Sequence, residues 1–251
     1  MFAHDLCHSQ IEYFRNAIDF NRKDRAKPPA RRGCTPMPRR AIPQIFNRQS
    51  SIFNSGLSGL GLMLRLESSA LIGRGLRREC YFHPEDENKC IKVVVSGDHK
   101  ETRREQSYYR LLEKRNISWR MLARFYGNVD TNLGVGAVFD LIRDYNGEIS
   151  RTLGHYVSAH NETDQSSQYL YRALPLLKQY LLKWKIVTMS LKPQNNVYKK
   201  AHESKGFLVV IDNIGNSDFI PICNYVDWMA IRKIHRKWQR FEELLAKGSL
   251  R

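Results

Sequence analysis

Hydrophobic and polar positions fall into a regular pattern only from Met63 onward. MLRLESS and the stretch after Leu71 alternate as strands do, and Gly73 and Gly75 mark a turn between them. CIKVVV at 90–95 is apolar and β-branched and reads as a strand. Ser96-Gly97-Asp98 then supplies a helix start, because Asp98 with Glu101 fits the capping pattern, and this helix runs to about Lys114. Short strands are predicted around 124–129 and 136–141. The next predicted helix runs from about Pro175 to Trp184, with Leu177, Leu181 and Trp184 along one face and Pro175 in the first turn. IVTMSLKPQNNVY and GFLVVIDNIG read as two strand-like pieces around a polar loop, and a basic helix extends from Tyr225 to about Ala246.

Residues 1–62 lack this periodicity, apart from a short helical stretch around Ile11–Phe20. Five prolines (Pro28, Pro29, Pro36, Pro38 and Pro43) sit among basic residues, followed by the Ser/Gly-rich SSIFNSGLSGLG. Such a segment has little apolar surface to offset the entropy of ordering it, so a largely disordered extension is expected there. Met63 stands where an internal start would be.

The composition, 42% hydrophobic and 26% charged, is that of a globular protein. A chain of 251 residues suffices for one well-cored domain with an appendage, or for two small lobes. No apolar run approaches the ~20 residues that span a bilayer, and MFAHDLCHSQIEYF carries no basic stretch followed by an apolar one. Cytoplasmic residence is the expectation. Cys7, Cys34, Cys80, Cys90 and Cys223 have neither CxxC nor Cys/His metal spacing and read as unpaired thiols. The net charge is +16, spread over the chain, with a dense cluster in IRKIHRKWQR at 231–240. That field attracts anionic partners without specifying which.

Four features have the chemistry and the order of a phosphoryl-transfer site. In LIGRG, Gly73 and Gly75 let backbone N–H groups approach phosphate oxygens, although a plain hairpin turn needs them too and Arg78 fills the third glycine position. Lys92 lies within an apolar strand; facing inward it requires an anion, because an unpaired buried ammonium is very costly. Glu105 shares a helix face with Tyr108, Tyr109 and Leu112 and is its natural ion-pair partner, with Glu101 less favoured. SLKPQN places Lys192 and Asn195 on a loop, and in VIDNIG the carboxylate of Asp212 ends a buried strand. Asp212 and Asn195 make an oxygen-donor pair suited to Mg2+.

Together these match the kinase order of glycine loop, strand lysine, helix glutamate, catalytic loop and metal aspartate. TMSLKPQN resembles the catalytic loop and VIDNIG the metal-binding motif. Through CYFHPEDENKCIKVV, RREQSYY, IVTMSLKPQN, DNIG and the basic Arg232–Arg240 region, the chain from Met63 to about Arg240 resembles the bacterial YrbL family, a kinase-like family associated with the PhoP regulatory network. The resemblance implies an α+β, minimal two-lobed protein-kinase-like fold, with one lobe at 63–142 and a truncated one at 143–251. It implies ATP and Mg2+ as ligands. Lys92 would hold the α/β-phosphates, Glu105 would fix Lys92, Lys192 would lie near the γ-phosphate, and Asn195 and Asp212 would hold the metal. Asp140, Leu141 and Ile142 would form the hinge that faces adenine.

Two departures bear on activity. Ser190 stands at the catalytic aspartate position, and an uncharged hydroxyl is a poor base at neutral pH. Asp218 and Asp227 are the nearest downstream carboxylates that could substitute. Only 36 residues follow Gly215, too few for the helices that hold peptide substrates. The expectation is an ATP/Mg-binding protein that is either an atypical phosphotransferase, acting on a small-molecule or protein acceptor, or a nucleotide-gated regulatory pseudokinase. The alternative is a basic module that binds nucleic acid or an anionic surface, with Trp228 and Trp238 among its cations.

Overall fold

Five strands, β1 (Leu71–Arg74), β2 (Arg78–His83), β3 (Asp86–Val94), β4 (Phe125–Thr131) and β5 (Gly134–Asp140), form an antiparallel sheet in the order β1-β2-β3-β5-β4. This is a computed structural model. It describes residues 63–97, 99–158, 165–218 and 220–246, all within one unit, Leu60–Arg251. The expected disordered extension, with Cys7 and Cys34, and the Asp98 cap lie outside the described residues.

The alternation of β3 decides what the sheet covers. Ile91 and Val93 point to one face, where they pack with Tyr81, Val138 and Leu66. Cys90 joins Ala137 and Phe139 on the other, against helix α1 (Lys100–Lys114). That helix presents Glu105, Tyr108, Tyr109 and Leu112 as its buried side and ends at Lys114, as its periodicity predicts.

MLRLESS is not a strand. Leu64 makes a single parallel bridge to Thr131, the Asn132 side chain bonds both backbone groups of Leu66, and Ser68–Ala70 turn as a 3-10 helix. Its alternation comes from leucines packing over the sheet rather than from a ladder.

Beyond β5 come helix α2 (Leu153–Ser158), helix α3 (Gln165–Trp184), the hairpin β6 (Asn196–His202)–β7 (Lys205–Val210) and helix α4 (Asp227–Ala246). The described residues are thus mixed α+β, with two antiparallel sheets and four α-helices. Helix α3 starts ten residues before Pro175, which sits inside it and not in its first turn. Leu170, Ala173 and Leu174 carry the buried stripe upstream of the proline, and that burial outweighs the lost amide hydrogen bond. One continuous core runs from the α1 side of the sheet through α3 and the hairpin to Trp238 and Phe241 of α4. Backbone bonds Ala123 N–H to Val210 O and Val210 N–H to Met121 O (2.9 and 3.0 Å) tie the segment after α1 to the end of β7.

Candidate functional site

Strand register puts Lys92 opposite Cys80 on β2, on the α1 side of the sheet. The ammonium is almost wholly enclosed. It donates to the Ile211 carbonyl at 2.6 Å and to Asp212 Oδ1 at 3.5 Å, and lies 4.6 Å from the centre of the Phe139 ring. Arg78, two residues before Cys80 and therefore on the same face, enters this space from the start of β2. Its Nη1 donates to Glu105 Oε2 at 2.5 Å and its Nη2 to Asp212 Oδ1. Glu105 is 1% exposed, and its other oxygen accepts the Ile214 N–H at 3.2 Å.

The expected Lys92–Glu105 ion pair is therefore replaced. Arg78 holds Glu105, while Lys92 turns to Asp212. A planar guanidinium reaches two carboxylates with separate nitrogens, which a compact ammonium does not. Burial opposes the charged form of both cations, but the carboxylates outweigh it: Asp212 and Glu105 hold the Lys92 pKa above its ordinary value, and Glu105 and Asp212 raise that of Arg78. Burial likewise pushes the Asp212 carboxyl upward, yet Lys92 and Arg78 bring it below the usual range. The cluster brings two basic and two acidic side chains into mutual compensation.

Local backbone geometry delivers Asp212. Asn213 is left-handed (φ 60°) and Gly215 has φ 123°, so the chain turns sharply after β7. Gly215 also lies so close to α1 that a Cβ would stand 3.4 Å from Tyr108 Cβ. This turn is lashed to the SLKPQN loop by Met189 N–H to Asn213 O (2.8 Å), Gly215 N–H to Val187 O (2.9 Å) and Ile211 N–H to Asn195 O (2.9 Å). Asn195 is buried, its carbonyl accepts from the residue before Asp212, and its Nδ2 donates to the Ser190 carbonyl at 3.0 Å. The side chains of Ser190, half-buried, and Lys192, exposed, share that loop without a described bond to the cluster.

Gly73 lies in β1 with open space where a Cβ would be, and the Gly75 N–H closes the hairpin on Arg78 O at 2.8 Å. Asp140, the last residue of β5, and Leu141 and Ile142 after it line a cavity of about 410 Å3 with Trp119, Arg120 and Phe207. Among the described residues no three His, Cys, Asp or Glu side chains gather as a metal set. A Mg2+ ion would find two protein oxygens, from Asp212 and the Asn195 side chain, and would need phosphate and water for the rest. That donor set fits, provided Arg78 gives up its hold on Asp212.

The basic 231–240 run is not a uniform surface. Lys233 (3% exposed) is consumed inside, donating to Asn216 Oδ1 and to Asp218 at 2.7 Å, and Trp238 is core. Lys237 donates to Met189 O at 2.6 Å. Arg232, Arg236 and Arg240 form an exposed row, and Trp228 is 62% exposed. The other downstream carboxylate, Asp227, pairs with Lys185 at 2.8 Å. Cys80, Cys90 and Cys223 are free thiols.

The family described as PhoP regulatory network protein YrbL matches residues 64–246. The uncharacterized protein YrbL of Escherichia coli (strain K12) is 42% identical over 182 residues, 71% of this chain and 86% of its own length. The protein of the same name from Shigella flexneri gives the same figures.

Proposed function

The chain belongs to the family of the PhoP regulatory network protein YrbL, and we propose that it is an ATP-binding protein of kinase-like, two-lobed fold whose main role is regulatory. The sheet with α1 (63–142) is one lobe, and the residues from 143 form the other. The supporting observation is the convergence of Lys92, Arg78, Glu105 and Asp212, from β3, β2, α1 and the turn after β7, into one charge-balanced cluster. Bound phosphates draw on Lys92 and Arg78, the two cations of the cluster, which share one face of the sheet. Arg78 then leaves Asp212 free to hold Mg2+ with Asn195. Nucleotide binding thereby exchanges an internal ion pair for an external one, and this exchange at the junction of α1 and the Asp212 turn is the gating step.

Transfer to an acceptor is slow or absent in this reading, because Ser190 offers no carboxylate to orient a hydroxyl. The rival reading, a nucleic-acid or anionic-surface module, keeps the exposed row Arg232, Arg236 and Arg240 and the exposed Trp228. Two of its other supports, Lys233 and Trp238, are engaged internally.

Thermal unfolding with ATP, with and without Mg2+, tests the proposal, since a ligand of the native state alone stabilises it by mass action. ATP raises Tm, Lys92→Ala weakens the effect at least tenfold in ATP concentration, and Asp212→Ala removes the part that needs Mg2+. A folded wild-type protein that shows no shift at millimolar ATP refutes it. Salt-sensitive RNA binding indifferent to ATP would carry the rival reading instead.

A further inference from the structure

A second cavity, of about 330 Å3, opens between α1 and the segment that follows Gly215, away from Lys92. Arg103, Arg104 and Ser107 line it from α1, and Asn216, Asn224 and Tyr225 from the segment. Both arginines are exposed, and no described carboxylate pairs with either.

The wall opposite them carries unmet hydrogen-bonding groups. Asn216 is 6% exposed, and its Oδ1 accepts from Lys233 and, at 3.0 Å, from the Asp218 N–H. An ammonium and a backbone amide can only donate, so the side-chain amide has one orientation, and Nδ2 is left as a buried donor without an acceptor. Asn224 Oδ1 is a buried acceptor without a donor. Buried polar groups left unmatched are rare and costly, and two of them, on Asn216 and Asn224, belong to residues that line this cavity and point to a ligand there. The Asp218 carboxylate on this wall does not repel an anion, because Lys233 neutralises it at 2.7 Å.

We propose that this cavity is a binding site for a small phosphate monoester bearing a free hydroxyl, of the sugar-phosphate class. Arg103 and Arg104 hold the phosphate as a pair of forks, Asn216 Nδ2 donates to one of its oxygens, and the ligand hydroxyl donates to Asn224 Oδ1. The site is separate from the nucleotide cluster and does not depend on that reading. Its occupant would nevertheless join α1, which carries Glu105, to the segment that follows Asp212.

The full chain, titrated at constant ionic strength with ribose 5-phosphate, inorganic phosphate and ribose, tests this by thermal shift. Ribose 5-phosphate raises Tm, inorganic phosphate does so only at concentrations at least tenfold higher, and ribose does nothing. The ribose 5-phosphate shift is undiminished when ATP is saturating. Arg103→Gln with Arg104→Gln, both on exposed positions, weakens ribose 5-phosphate binding at least tenfold and leaves any response to ATP intact. Asn216→Ala does the same if it folds, and the arginine pair decides the matter if it does not. The proposal is overturned if ribose 5-phosphate gives no shift, if chloride at matched ionic strength gives the same one, if saturating ATP abolishes it, or if the arginine variant keeps it.

Discussion

Arg78 donates to Glu105 from the first residue of β2 to the buried side of α1, at 2.5 Å. Glu105 has only this guanidinium and the Ile214 N–H as described partners, at 1% exposure. The same guanidinium reaches Asp212. One side chain therefore joins the sheet, the helix and the turn after β7, and removing it leaves a carboxylate with almost no compensation in a water-poor site.

Arg78→Ala is expected to lower stability in urea by about 2–4 kcal/mol, since breaking a buried pair strands the remaining charge. Adding Glu105→Gln to that variant recovers part of the loss, because the stranded group is then neutral. ATP stabilisation in the single variant becomes more dependent on Mg2+, as Asp212 no longer has Arg78 in competition. Equal stability of wild type and Arg78→Ala would show that the pair contributes nothing.

Ser190→Asp restores a carboxylate at the position that orients the acceptor in kinases. ATP hydrolysis or autophosphorylation is expected to rise about 10- to 100-fold, the low end of what a positioned base contributes. Nucleotide affinity must be measured alongside, because a new charge near Asp212 also attracts metal or repels phosphate. Strong wild-type turnover abolished by Ser190→Asp would give the serine a catalytic role of its own.

The sheet, α1 and α4 were legible because their burial follows period 2 or 3.6 and long apolar runs fix it. Asp212 was legible as a carboxylate at the end of a buried strand, and Glu105 by its place among Tyr108, Tyr109 and Leu112. The partner of Glu105 was not, although parity held the clue. Arg78, Cys80 and Phe82 share a face of β2, and Cys80 is registered with Lys92, so Arg78 had to point to the same side as the lysine. Register comes from the β2–β3 turn, which Pro84-Glu85 signals but does not number. The Pro175 boundary failed because proline is a strong local signal, whereas the burial of Leu170 and Ala173 that overrides it is set by the whole core. The Asn216–Lys233 contact links a turn to a helix 17 residues on, and no sequence period connects them.

Gly136 in β5 has no room for a methyl group. A Cβ there would come within 2.4 Å of Ile91 Cγ2, and Ile91 is fully buried in the middle of β3. Gly136→Ala is expected to cost about 1–3 kcal/mol by overpacking, read as a lower urea midpoint with unchanged slope. Combining it with Ile91→Ala, which removes Cγ2 at the cost of a cavity, gives a double variant less destabilised than the two losses added together. Strict additivity would show that the two side chains do not compete for the space.

Tyr108 links α1 to the start of the segment that leads to Ser190. Its hydroxyl donates to the Lys185 carbonyl at 3.2 Å and accepts the Val187 N–H at 2.8 Å. Burial pushes its pKa up to about 12, against a smaller opposing pull from the Val187 amide and Arg115. In the unfolded chain tyrosine titrates near ~10. The native state therefore binds the proton more tightly, so the contribution is complete below about pH 10 and is lost as pH rises towards 12, amounting to roughly 2–3 kcal/mol. Tyr108→Phe removes this titration. It lowers stability at pH 8 by about 1–2 kcal/mol, because the Val187 N–H loses its acceptor, but its stability falls less steeply between pH 10 and 12. Other buried tyrosines and the lysines titrate in the same range in both proteins, so the difference between their slopes in urea isolates Tyr108. Parallel slopes would mean that the hydroxyl ionises in the folded protein as readily as in the unfolded one.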